Sequence, residues 1–365
     1  MKKVKVRYII PLGVILLMVL LNITARLSRG FSDFYVRRIF PVLSSVFSFI
    51  SGLFPFSVGE VMIILLIMVI VIDVPLVLIL LIAKKDKRRI IAGAASLTAL
   101  WILAYICTTE TMNCFIMYQC TPFSERYLTP AEPNRENLGK VYEILIEECN
   151  RLAPEVPRDE HGQFYLTCDA DSEARAAMKN IADDYPQLSG YYPKAKPIAF
   201  SYFMSQAGLA GIYFPFSMEA NYNDDMVRTN LPDTICHEYA HLKGIIQEDE
   251  ANFIAIMATT RSSNAEFRYS GYLSAIEYVH SQMYGYDRNR AVELAGKLLP
   301  EVRKDWFRFL PEDYWEKNSS KEIIPTKTVS AASETAMDTN IKMNGREEGT
   351  ESYSHVVNLL IDYYI

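Results

Sequence analysis

Three long apolar runs near the N-terminus decide most of what this chain can become. Residues 8–25, 60–83 and 90–107 each approach the ~20 apolar residues that a helix needs to cross a bilayer. Inside lipid, only a helix or a closed barrel satisfies every backbone N–H and C=O, and only a helix does so within one segment. Residues 1–110 are therefore expected to form an α-helical membrane anchor with three spans. Residues 34–55 hold a shorter apolar piece, 42–50, bounded by Pro41, Gly52 and Pro55. That length suits an interfacial or re-entrant helix better than a fourth span. Asp73 falls mid-span, two residues before Pro75. A carboxylate there either serves a local break at the proline or is functional.

Basic residues orient such an anchor. Lys2, Lys3, Lys5 and Arg7 precede the first run, as at the start of a signal peptide, but no small-residue cleavage site follows, so the run reads as retained. Lys84, Lys85, Lys87, Arg88 and Arg89 crowd the turn between the second and third runs. Both clusters belong on the cytoplasmic side. Three spans then put everything after Cys107 outside, a multi-pass cell-membrane protein with its second domain extracytoplasmic. Arg26, Arg29, Arg37 and Arg38 argue the other way.

The net charge of −6 excludes nucleic acid as a partner, because binding phosphates needs a basic surface. None of the six cysteines forms a C-x-x-C pair, so a cysteine-based zinc site is not expected. Cys114 and Cys120 are close enough in sequence to pair on an oxidising side or to stay free thiols.

Beyond Pro130 the pattern turns amphipathic, and residues 111–317 read as a mainly α, α+β domain with a small sheet. A helix is expected over 137–152, with Leu138, Val141, Tyr142, Leu145 and Cys149 on one face. Another is expected over 172–182 from a Ser cap. Residues 197–203 and 209–216 read as strands, with a turn at 206–208. Three or four helices follow between 232 and 309. Residues 318–352 are rich in Ser, Thr, Lys and Glu and read as a flexible linker. Residues 353–365 recover an apolar pattern that suits a terminal helix docking back onto the domain.

The chemistry concentrates in LPDTICHEYAHLKG at 231–244. His237 and His241 are four apart, so on a helix their imidazoles share one face and can meet one zinc ion at about 2.0–2.1 Å. Glu238 projects beside that metal, where a carboxylate takes a proton from an activated water. Pro232 and Asp233 suit the helix start, and Gly244 its end. Catalytic zinc needs a third protein ligand and an open position. The following stretch, EDEANFIA at 248–255, offers Glu248 first and Glu250 second. Asn252 shares a face with Glu248 and suits orienting a ligand histidine.

H-E-x-x-H followed by E-x-x-A-[D/N] resembles the zincin metallopeptidases with a glutamate as third ligand. The resemblance implies that Glu248 binds zinc and that the residue four later, here Asn252 rather than the commoner Asp, supports a histidine. The chain more closely resembles a bacterial membrane family, domain of unknown function 3810, through PFSVGE (55–60), GIYFPF (211–216), EANYN (219–223), HEYAHLKG (237–244), EDEANFIA (248–255) and YSGY (269–272). That likeness implies a zincin-like domain and no known substrate. In zincins the strand before the metal helix edges the cleft and pairs with substrate backbone. This implies such a role for Gly211, Ile212, Tyr213 and Phe214, the alternative being an ordinary core strand. An oxyanion stabiliser is often a Tyr or His, and Tyr269, Tyr272 and His280 are the candidates, the favoured alternative for each being a packed ring of the core; Tyr269 is also a candidate at the cleft. His161 and His355 have no motif around them.

The expected function is a membrane-anchored zinc (Zn2+) peptidase: His237, His241 and Glu248 hold the metal, Glu238 is the general base, and the partners are a peptide or protein substrate and the lipid bilayer. The alternative is a non-catalytic zinc-site membrane protein acting as a peptide-binding sensor or scaffold.

Overall fold

The computed structural model describes residues 2–306, 308–344 and 355–365. These residues are mostly helical with one three-stranded sheet. They divide into two compact units: Met1–Cys120 with Phe214–Glu219, and Thr121–Tyr213 with Ala220–Ile365.

In the first unit, α1 (Lys2–Leu27) is followed by α2 (Phe40–Gly52) and α3 (Val58–Met68). A π-helical turn, Val69–Asp73, leads into α4 (Val74–Ala83), and α5 is Arg88–Glu110. Three helical stretches, Val6–Leu27, Val58–Ala83 and Lys85–Gln119, are long and apolar enough to cross a membrane. Their Leu16, Ile67, Val71 and Leu78 side chains lie exposed, a surface that suits lipid and not water. α1 packs on α5, where the Tyr8 hydroxyl donates to the Gly93 carbonyl at 2.8 Å. Asp73 closes the π-helical turn just before Pro75, so the break at the proline is present. Among the described residues, Cys114 and Cys120 form no disulfide with one another, and both are buried. The Glu219 carboxylate accepts from the backbone N–H of Val58 (3.1 Å) and Gly59 (2.8 Å) and from the Ser217 hydroxyl (2.6 Å), capping α3 from a segment far away in sequence.

In the second unit, α6 (Arg135–Leu152) starts at an Asn134 cap and buries Leu138, Val141, Tyr142, Leu145 and Cys149. α7 (Ala170–Ile181) is capped by Asp169, which accepts from Ser172 N, so the expected Ser cap is instead the capped residue. β1 (Lys196–Ile198) is only the start of the strand expected over 197–203. The rest of that stretch forms α8 (Ser201–Ala207), which holds no β-branched residue and ends at Gly208 in the left-handed region. β2 (Gly211–Phe214) and β3 (Glu219–Asn223) follow. The sheet order is β1-β3-β2, with β1 parallel to β3 and Pro197 opposite Tyr222. The link between β2 and β3 is too short for a parallel crossover, so they form an antiparallel hairpin.

α9 (Leu231–Leu242), α10 (Glu248–Thr260) and α11 (Ala265–Tyr286) pack on one another, with α6 against α11 and α7 against α9. α10 is buried from Asp249 to Thr260, so it is the central helix of the core rather than a surface one. α12 (Thr326–Met343) corrects the flexible linker expected over 318–352. Few of its residues are large and apolar, but Ala331, Ala332 and Ala336 favour helix, and it packs on α8 while burying Val329 and Ile341. The remainder of that stretch from 345 to 352, with 353 and 354, lies outside the described residues. α13 (Val356–Tyr364) packs on α6, α10 and α11 and buries Val356, Val357, Leu359, Leu360 and Ile361.

Candidate metal centre

Pro232 sits in the first turn of α9, where its missing N–H costs nothing, and Asp233 follows it there. His237 and His241 then fall on one face, with ring centroids 4.6 Å apart. Gly244, with φ 83°, reverses the chain at once, so α10 begins beside the helix it follows and Glu248 is its first residue. The Glu248 carboxylate lies 3.1 Å from His237 Nε2 and 3.8 Å from His241 Nε2. Donors around one tetrahedral zinc stand about 3.4 Å apart, given bonds near 2.05 Å. The three groups all lie within 4.8 Å of one another and form the only such His/Cys/Asp/Glu cluster among the described residues. His237 and Glu248 keep 15% and 22% of their side chains exposed, so the cluster opens to solvent.

The local electrostatics fit a cation. His241 Nδ1 is 2.7 Å from the Ile245 carbonyl, which can only accept, so Nδ1 carries the proton and Nε2 presents a lone pair to the cluster. Burial holds His241 neutral, pulling it down to about 4. Burial pulls on His237 the same way, but the hydrogen bond with Glu248 and the charge of Glu238 more than offset it, and the imidazole is pushed up to about 9. A positive charge between His237 and Glu248 is thus what this pocket favours. Burial also pushes Glu238 up to about 8. Its Oε2 is buried without a hydrogen-bond partner among the described residues, which costs ~1–3 kcal/mol unless something uses it.

β2 lies over this carboxylate. The Tyr213 backbone N–H donates to Glu238, and the Tyr213 ring lies 5.8 Å from that of His241. Gly211 approaches so closely that a Cβ there would stand 2.8 Å from Thr234 Cγ2 and 2.9 Å from Glu238 Cδ. Ile212 faces the other way, its carbonyl 3.5 Å from Asn221 Nδ2. β2 is the edge of the sheet, while Phe214 belongs with the first unit.

Other expected site residues are engaged elsewhere. Glu250 accepts from the backbone N–H of Phe123 (2.6 Å) and Ser124 (2.9 Å) and from the Ser124 hydroxyl (2.6 Å), so it caps the short helix Phe123–Tyr127 and is no ligand here. Asn252 Nδ2 has no partner among the described residues, and the carbonyl of Ile245 orients His241 in its place. Tyr269 donates to Asp305 at 2.7 Å beside Arg158 at 3.2 Å, His280 Nδ1 pairs with the Tyr142 hydroxyl at 2.7 Å, and Tyr272 bonds Tyr364.

A different tyrosine stands near the cluster. Ser270 Oγ donates to the Thr229 carbonyl at 2.6 Å and Ser274 Oγ to Asp233 at 2.9 Å, and both pairs are 41 residues apart. The next step of the same register carries Tyr278 to the level of His237. The charges of Asp233 and Glu248 reach its hydroxyl, which burial holds protonated. The stripe Ser270, Ser274, Tyr278 at four-residue spacing was the sequence signal for it.

No curated protein and no solved structure matches the chain. One family model, described as "Protein of unknown function (DUF3810)", matches residues 35–361, from before α2 into the last turn of α13. Because that match runs through both units and includes the whole His237–His241–Glu248 cluster, the chain belongs to the family of proteins of unknown function DUF3810.

Proposed function

We propose that the protein is a membrane-anchored zinc peptidase, with His237, His241 and Glu248 holding the ion and Glu238 moving protons. The reading rests on one observation: two Nε2 atoms and one carboxylate converge within 4.8 Å beside a buried carboxylate that has an unpartnered oxygen. A zincin-like domain is part of the same reading. When bound, the ion supplies a Lewis acid that polarises water and a substrate carbonyl.

The chain's own residues do the rest. Glu238 Oε2 takes a proton from the attacking water and passes it to the departing amine nitrogen; a carboxyl pushed up toward neutrality suits both halves of that task. The β2 edge offers backbone groups to an extended peptide. Its close approach at Gly211 holds the peptide against Glu238. By the basic clusters at Lys2–Arg7 and Lys84–Arg89, this domain faces the extracytoplasmic side.

The burial of Glu238, at 4% exposure, supports a second reading: a metal-held peptide sensor that does not cut. The test uses full-length protein in detergent and an internally quenched peptide library. About one zinc per chain, with cleavage that is lost in Glu238→Gln while zinc is kept, supports the peptidase. Zinc without cleavage in wild type supports the sensor. No zinc in wild type overturns both.

A further inference from the structure

His241 is oriented by Ile245, but among the described residues no such carbonyl stands on His237. Asp233 stands one turn before His237 on α9. Helical side chains lean toward the N-terminus, so the His237 ring lies over the turn that carries Asp233. Asp233 Oδ2 accepts from Ser274 Oγ at 2.9 Å, a bond that tethers the carboxylate to α11 while the rotatable hydroxyl can follow it. Its Oδ1 is buried and has no partner among the described residues. With Nε2 of His237 turned to Glu248, Nδ1 is the ring nitrogen left for the preceding turn.

We infer that Asp233 is a positioning residue for the metal centre: its Oδ1 accepts a hydrogen bond from His237 Nδ1–H and so fixes the tautomer that presents Nε2 to the ion. This rests on the metal reading of the site. The bond is not closed in the structure. A rotation of the carboxylate about χ2, whose well is broad, brings Oδ1 to the ring. Asp233 then does for His237 what Ile245 does for His241, and it supplies a negative charge behind the ligand, which raises its basicity. Asn252, the residue expected to orient a histidine, has an amide nitrogen without a partner among the described residues. The plainer role for an acid at this place is to complement the helix dipole. A dipole partner needs only to be near the helix end; it does not need a buried oxygen left without a partner.

The test is zinc affinity of the full-length protein, measured by competition with a chromophoric chelator, together with ring-nitrogen NMR of selectively 15N-His-labelled protein in detergent. In Asp233→Asn we expect affinity to fall ~10–100-fold, the His237 ring to lose its fixed tautomer and Asp233→Glu to restore part of both. Unchanged affinity with a lowered Tm assigns Asp233 to the helix dipole and overturns the inference. If wild type binds no zinc, the metal reading falls, but the His237 nitrogen shifts still decide this pair. Shifts that move in Asp233→Asn support it, and identical shifts overturn it. Ser274→Ala, which leaves α9 itself intact, should lower affinity with the same sign by a smaller factor; no change there counts against the inference even if Asp233→Asn does not fold.

Discussion

The backbone of Gly211 lies so close to the Glu238 carboxylate that no side chain fits between them. β2 can therefore cover the proposed base only because position 211 has no Cβ. Gly211→Ala must push the strand away or turn the carboxylate aside. A displacement of about 1 Å at a reacting group costs on the order of 100-fold in rate. We expect kcat/KM to fall by about that factor with zinc content unchanged. Wild-type cleavage by Gly211→Ala would remove β2 from the substrate cleft.

Glu248 and Glu250 separate cleanly by experiment. Glu248→Ala removes the proposed third ligand at a partly exposed position, so zinc should be lost with little change in Tm of the zinc-stripped protein. Glu250 is 2% exposed and accepts three hydrogen bonds. Glu250→Ala leaves one buried and one partly buried N–H group without an acceptor and should cost on the order of 3 kcal/mol, read by denaturant unfolding, while zinc stays bound. The reverse pattern would make Glu250 the ligand.

Much of this arrangement was legible in the sequence because it is local. His237 and His241 are one helical turn apart, Gly244 supplies the reversal, and Glu248 opens the next helix, so three donors converge within a short stretch of chain. Apolar runs likewise announced the candidate spans, since each satisfies its own backbone. What depends on distant partners was not legible. Glu250 and Glu248 look alike in sequence, and only the Phe123 and Ser124 N–H groups tell them apart. Tyr269 sits in a conspicuous YSGY stretch, yet Asp305 takes its hydroxyl, while the Ser270–Ser274–Tyr278 stripe gains its meaning only once the register of α9 and α11 is known. α12 was missed because counting large apolar residues overlooks alanine.

That register yields a third prediction. Tyr278→Phe removes one hydroxyl near the cluster and should lower kcat more than it raises KM, by ~10–1000-fold if the phenol stabilises developing negative charge, with zinc and Tm kept. Tyr269→Phe should do the opposite, because its hydroxyl belongs to the buried Asp305–Arg158 network. Lower Tm with near-normal turnover is expected there. A kcat loss confined to Tyr269→Phe would restore it as the site tyrosine.

The last prediction concerns acid stability. Burial lowers the His280 pKa, and Nδ1 shares a 2.7 Å hydrogen bond with the Tyr142 hydroxyl, with the Trp306 ring 4.7 Å away. Its unfolded value is about 6.5. As pH falls through that value, the unfolded chain takes up a proton that folded His280 refuses, so the unfolded state binds more protons and stability drops with falling pH. Tm should therefore fall between about pH 7 and pH 5.5 in wild type and fall less in His280→Gln, which cannot titrate. Parallel Tm curves for the two proteins would show that His280 takes up its proton in the folded state as readily as in the unfolded one.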